Sequence, residues 1–318
     1  WVALPAPLIN SRIEMKHLLL TTIAAVLVVG CASRLSQTVD HNAAMYMACR
    51  VDHDVVYRTI EGKDLHLNVY IPEEYIGESP WWINDKKGEK PTLLYIHGGG
   101  WVGGSKDKRA FNFLPYVFRN WVVISINYRL AQEAKAPAAV EDCLSALKWI
   151  HTNAEKYEID TSRIVVSGGS AGGHLSLLTG MLQEGDQLCN GKLKVDKTRK
   201  VAAIVNWFGV TDFNHYPLPT QWFGDNIDAE EYIRTLSPIN YVRKNGTPVL
   251  SIHGTEDPAV SVNQTISLHK KLRESGINEK MYLIEGKKHG EFTPQEFTQI
   301  YKEIWKFLES AGVKTTAN

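Results

Sequence analysis

The chain has 318 residues and carries 35 Lys and Arg against 35 Asp and Glu, so its formal charge is zero. That balance excludes a broad electrostatic footprint for nucleic acid or anionic lipid. With 44% apolar and 10% aromatic residues it is far from the compositional signature of disorder, and a chain of this length buries roughly three quarters of its unfolded surface.

In chain order, Met15-Lys16-His17 precedes Leu18 to Val29, a run without a charge, and then Gly30-Cys31. A basic residue, a short apolar stretch and a small residue form the pattern of an export signal, whereas about 20 apolar residues are needed to span a bilayer. Val28-Val29-Gly30-Cys31 also resembles the lipobox of bacterial lipoproteins. That resemblance implies lipid on Cys31 and an exported protein, anchored at the outer membrane or facing the periplasm or exterior. An ordinary cleaved signal is the plainer alternative. Residues 1–14 stand before a plausible start Met and are left out of the fold reading. The expected organisation is therefore 1–30 extension and signal, 31–50 tether and 51–318 a single folded domain. Beyond Cys31, Cys49, Cys143 and Cys189 form no disulfide framework. No Cys/His cluster has zinc spacing, so no structural metal is expected.

Residues 53–59 and 64–71 form a hairpin pattern around Gly62-Lys63, the second arm alternating Leu65, Leu67, Val69 and Ile71. Near-continuous apolar runs follow at 92–96, 121–126, 163–167, 201–208, 248–252 and 281–284, as expected for parallel strands covered on both faces. Helical stretches at about 137–157, 171–184, 262–275 and 295–311 separate most of them. The fold class predicted is α/β: a single doubly wound, mostly parallel sheet with an antiparallel N-terminal edge. The stretch 212–245 is long for a loop and is a candidate substrate-covering insertion.

Two glycine-rich turns follow strands. In His97-Gly98-Gly99-Gly100-Trp101-Val102-Gly103, three glycines formally match the dinucleotide fingerprint G-x-G-x-x-G. The end of the next strand, Asn127-Tyr128-Arg129, lacks the acidic residue such a site needs, so no cofactor is expected. The favoured alternative is a loop whose backbone N–H groups converge on an oxyanion, because glycines remove the Cβ obstruction. The second turn, Gly168-Gly169-Ser170-Ala171-Gly172-Gly173, contains G-x-S-x-G between a strand and a helical run. Small neighbours let the backbone fold tightly around the serine and expose its Oγ.

A serine hydroxyl needs a base to take its proton, and the base needs an orienting carboxylate. Among 11 histidines, His289 occupies the polar loop Gly286-Lys287-Lys288-His289-Gly290 directly after the last strand and is the predicted base. His174 is too close to Ser170 on the same helix, His253 ends a strand and His269 falls within a helix. Strand 248–252 runs into His253-Gly254-Thr255-Glu256-Asp257-Pro258, at a carboxyl end where ligand sites gather in open sheets. Asp257 is preferred as the acid, Glu256 is its alternative, and Asp142 and Asp212 are assigned structural roles.

The segments H-G-G-G-W (97–101), N-Y-R-L (127–130), G-G-S-A-G (168–172) and H-G-x-x-D-x-x-V-x-x-x-Q (253–264) together resemble the α/β-hydrolase esterases related to hormone-sensitive lipase. The likeness is closest to the branch of bacterial carbohydrate esterases that includes feruloyl and acetyl esterases. It covers about residues 50–312. The resemblance implies Ser170 as nucleophile, Asp257 as orienting acid and His289 as base then acid, with the backbone N–H groups of Gly99, Gly100 and Ala171 as oxyanion hole. Trp101 stands where many lipase relatives carry Phe, and the family's larger N-terminal helical cap is not evident.

These features predict an exported serine carboxylesterase acting on short-chain or aromatic, acetyl or feruloyl, esters of plant polysaccharides. Its partners are then a small-molecule or oligosaccharide ester, no nucleic acid, and a membrane only through a lipid anchor. An amide hydrolase on the same triad and a silent binding module are the alternatives. Trp101 and Trp222, with Tyr216, Phe223, Tyr232 and Tyr241, are candidates to stack on a sugar or cinnamoyl ring if they face the site.

Overall fold

The computed structural model describes residues 49–72, 88–108, 112–197, 199–225 and 227–315. The apolar run before Cys31, Cys31 itself and most of the tether lie outside the described residues.

Eight strands form one sheet: β1 (Cys49–Ile60), β2 (Lys63–Pro72), β3 (Lys90–Ile96), β4 (Val122–Ile126), β5 (Ile159–Gly169), β8 (Ala203–Trp207), β9 (Val249–Gly254) and β10 (Glu279–Ile284), the two-residue strands β6 (Gln187–Leu188) and β7 (Leu193–Lys194) making a separate hairpin. Their order is β1-β2-β4-β3-β5-β8-β9-β10. β2 pairs antiparallel with both β1 and β4, and every other pairing in the sheet is parallel. This is the doubly wound arrangement the apolar runs predict.

Side chains alternate across each central strand and build two cores. Leu94, Ile96, Ile124, Val166 and Ile204 face a layer containing α2 (Ala138–Thr152), α3 (Ala171–Met181) and α6 (Asn263–Glu274). Leu93, Tyr95, Val123, Val165 and Val205 face α1 (Leu114–Val117) and α7 (Pro294–Ser310) on the other side. Because both faces are covered, the strands read as unbroken apolar runs rather than alternating ones. Helix α7 starts on a reciprocal cap in which Thr293 and Glu296 each accept the other's backbone N–H, with Pro294 in the first turn.

The stretch 212–245 folds as two short 3-10 turns, Phe213–His215 and Pro238–Tyr241, around α4 (Thr220–Phe223) and α5 (Ala229–Leu236). Gln264 pins its start: Oε1 accepts from the N–H groups of Thr211 and Asp212, while Nε2 donates to the carbonyls of Asp212 and His215. Asp212 caps the first turn by accepting from Asn214 N, the structural role expected of it. Asp142 is likewise structural. Its buried carboxylate takes Arg129 and Arg58 together, fixing the segment that follows β4.

Candidate active site

Ser170 sits between β5 and α3 with φ 56° and ψ −122°, a left-handed backbone that a non-glycine residue adopts only when its surroundings enforce it. The neighbours show how it is enforced. A Cβ at Gly168 would lie 2.3 Å, and one at Gly172 2.1 Å, from the carbonyl oxygen of Ile96, so β3 and the first turn of α3 come together only over glycine. Ser170 N donates to Trp207 O at 2.9 Å. This is the tight strand-to-helix turn that presents a serine hydroxyl at the carboxyl edge of a sheet.

The glycine loop after β3 closes over this turn. Gly98 approaches so closely that a Cβ there would be 2.5 Å from Gly169 O, and Gly99 and Gly100 take φ of 128° and 60°. The carbonyl of Gly99 accepts from Val102 N and Gly103 N. Gly98, Gly99, Gly100, Ser170 and His289 line one cavity of about 410 Å³.

Asp257 and His289 come from the loops after β9 and β10. The loops are pressed together at Gly254, where a Cβ would lie 2.2 Å from Lys287 O, and Glu256 N donates to that same carbonyl. His289 Nδ1 and Asp257 Oδ2 are 2.7 Å apart. The carboxylate only accepts, so the proton is on Nδ1, and Nε2 of the neutral ring is the basic nitrogen. The Asp257 side chain is fully buried, whereas that of His289 keeps 27% of its surface. Burial pushes the Asp257 carboxyl up. Hydrogen bonds from His253, from Val260 N and from His289 outweigh it and bring the pKa down to about 2. Asp257 therefore stays ionised throughout the neutral range. Adjacent Glu256 points to solvent.

His253 was not expected at the site. Its Nε2–H reaches Val260 O at 2.8 Å and Asp257 Oδ2 at 3.3 Å, and its Nδ1 accepts from Thr265 Oγ1. It reaches the same carboxylate oxygen, Oδ2, that His289 holds. Also unforeseen is the aromatic lining of the cavity by Trp207, Phe208, Phe292 and Phe297, which it shares with Tyr95, Asn112 and Lys108. Phe292 and Phe297, shortly after His289 in the chain, were the visible signal for part of it.

Trp101 and Trp222 do not face this cavity. They stack on each other at 4.6 Å, are 2% and 0% exposed, and pack edge-on against His174. The placement of these two residues against substrate is therefore corrected: they are core. Trp101 Nε1 donates to His174 Nδ1, and this contact anchors the glycine loop it follows. Among the described residues, none of 212–245 lines the cavity; that stretch instead packs Phe213, Trp222 and Phe223 into the α3 side of the core. We expect Trp222→Ala to cost about 3–5 kcal/mol of stability and to depress activity on every ester alike. Chemical denaturation beside an ester panel checks this, and selective loss of aromatic substrates would return Trp222 to the site.

His174 is fully buried and donates Nε2–H to Leu236 O. Burial drives its pKa down to about 4, so between that value and the unfolded value of about 6.5 only the unfolded chain takes the proton. Its contribution to stability is complete above about pH 6.5 and declines toward pH 4. Burial also lowers His97 and His269, in the same direction. Melting temperature should thus fall with acid below about pH 6.5, less steeply in His174→Gln. An identical slope in the variant would remove His174 as a cause.

The BD-FAE family profile matches residues 82–272, more than half of the chain. The chain belongs to the BD-FAE family. Relatives of this BD-FAE chain include esterase LipC of Mycobacterium tuberculosis, 32% identical over 213 residues that make up 63% of this chain and 53% of that protein. Another is arylacetamide deacetylase of Bos taurus, 33% identical over 52% of this chain and 41% of that protein. The chain spans about half the length of the first of these. Among solved structures, a truncated carbohydrate esterase from gut microbiota superposes with a TM-score of 0.71 at 28% identity, covering 84% of this chain and 98% of that one. Butyrate-bound esterase 2 of Thermogutta terrifontis, with a TM-score of 0.67 at 21% identity over 85% of this chain and 97% of that one, shares the fold. The esterase group indicated by the motifs and the family profile agree.

Proposed function

We propose that the protein is a serine carboxylesterase working through an acyl-enzyme. The observation that carries this is the Asp257–His289 pair at 2.7 Å, with His289 lining the same cavity as the strained Ser170 turn. Ser170 Oγ attacks the acyl carbon while His289 Nε2 takes its proton. The oxyanion that forms is met by the N–H groups of Gly99, Gly100 and Ala171, the last being the first residue of α3, where the helix dipole adds favourable potential. His289 then returns the proton to the departing alkoxide. Water repeats the cycle on the acyl group, with His289 as base and then acid and Ser170 restored. Asp257 keeps the ring in the productive tautomer throughout.

The substrates we propose are esters of short or aromatic acids, acetyl and feruloyl esters of plant polysaccharides among them. A cavity of about 410 Å³ lies toward the small end of ligand sites, and Phe208 and Phe292 pack 6.1 Å apart across its wall. Flat rings or acetyl to butyryl chains suit such a space. On nitrophenyl esters, kcat/KM should favour acetyl to butyryl over octanoyl by about tenfold or more, with measurable turnover of methyl ferulate. Octanoyl esters as the best substrates would replace this assignment by a lipase. Because a bovine relative is named a deacetylase of arylacetamides, an arylacetamide belongs in the same panel. Faster amide than ester cleavage would favour the amide-hydrolase alternative.

A further inference from the structure

A second alignment of serine, histidine and carboxylate lies inside the protein. Ser251 of β9 is 2.8 Å from His269 Nε2 in α6, and His269 Nδ1 is 2.5 Å from Glu279 Oε2 at the start of β10. Glu279 in turn accepts from Arg273 at the surface. Ser251 and His269 have no exposed surface, and none of the three lines the cavity, so this is no second nucleophile. Its polarity is fixed from both ends. Glu279 requires the His269 proton on Nδ1, so Nε2 must accept the Ser251 hydroxyl hydrogen. Ser251 Oγ is thereby free to accept from Asn206 Nδ2, which lies 2.9 Å away.

The inner end of this chain meets the site. Asn206 Oδ1 accepts from Gly209 N at 3.0 Å. A Cβ at Gly173 or Gly209 would be 2.5 Å from that oxygen, so the amide fills the space between the turn after β8 and the first turn of α3. That turn is Trp207-Phe208-Gly209. Trp207 O accepts the Ser170 N–H. Phe208 has φ 42°, disfavoured for a bulky residue, and its ring stands edge-on to His289 with centroids 4.6 Å apart. The ring is also wedged between the Ser170 turn and the His289 loop, since a Cβ at Gly169 would be 3.3 Å from it and one at Gly290 3.0 Å.

We propose that Asn206 is a positioning residue for His289. Locked by Ser251, His269 and Glu279, it holds the turn that sets Phe208 against the base and Trp207 O against the nucleophile. This rests on the Ser170, Asp257 and His289 assignment above. Asn206→Ala and Ser251→Ala, each in the full chain, are to be assayed on nitrophenyl acetate, with competent sites counted by stoichiometric phosphonate labelling of Ser170. Since a shift of about 1 Å in a catalytic group costs on the order of a hundredfold, kcat per labelled site should fall about 10- to 100-fold in Asn206→Ala and less in Ser251→Ala, and kcat should fall by more than KM rises. If either folded variant keeps kcat per labelled site within about twofold of the parent, whatever its melting temperature, the chain is purely structural and the proposal fails. Ser251→Ala removes only a hydroxyl and decides the matter if Asn206→Ala does not fold. Failure of the phosphonate to label the parent at Ser170 would instead overturn the catalytic assignment.

Discussion

Ser170→Ala is expected to fold normally and to lose ester turnover by roughly a millionfold, leaving on the order of 10³ over water from the oxyanion hole and binding alone. Folding should be spared because the backbone contact of this residue, Ser170 N to Trp207 O, survives the substitution, and because alanine meets the same glycine-lined turn that serine does. His289→Ala should be about as severe, and the double variant no worse than either single one, since the two act as a unit. Steady-state kinetics with a melting curve for each variant checks both halves. A folded Ser170→Ala that turns over at a near-native rate would remove Ser170 from the mechanism.

Asp257→Asn should lower kcat by about 10³- to 10⁴-fold, while Glu256→Gln stays within about twofold of the parent. The asymmetry follows from the hydrogen bonds. Asp257 Oδ1 accepts from Ala259 N and Val260 N, so in the asparagine variant the amide oxygen occupies that position. The NH2 group is then turned toward His289 Nδ1 and His253 Nε2, both donors in the native arrangement. The His289 proton must leave Nδ1 for Nε2, the nitrogen that has to act as base. Glu256 is exposed and contributes to the pair only through its backbone N–H. Kinetics of the two variants side by side tests this. The reverse pattern would transfer the role to Glu256.

Much of this architecture could be read from the chain because its physical causes are local. Parallel strands buried on both faces must be apolar throughout, so 92–96, 163–167 and 248–252 stand out; the observed β3 and β5 contain the first two, and β9 covers the third from residue 249. The placement of Ser170 and His289 on one cavity was legible for a similar reason: glycine is required within a few residues of Ser170, and His289 lies in a polar loop directly after the last strand. What escaped depends on contacts distant in sequence. Trp101 and Trp222 have the composition of a binding surface, but whether an indole faces a cavity or another indole is settled by tertiary packing, here at 4.6 Å. Phe208 carries no local sign that it adopts φ 42° beside His289. Helices as short as α1 and α4, one turn each, show no period to detect. His253 was visible in its motif, yet only the fold shows that it turns back on the carboxylate four residues later.

The most direct measurement is intact-mass and peptide mass spectrometry after exposure to a nitrophenyl alkylphosphonate, which mimics the tetrahedral intermediate and stays on the nucleophile. One phosphonyl group per chain should appear, on the peptide containing Ser170. It should be absent from Ser170→Ala and form far more slowly in His289→Ala. Phosphonylation at another residue, or labelling of Ser170→Ala at the parent's rate, would contradict the assignment of Ser170 as nucleophile.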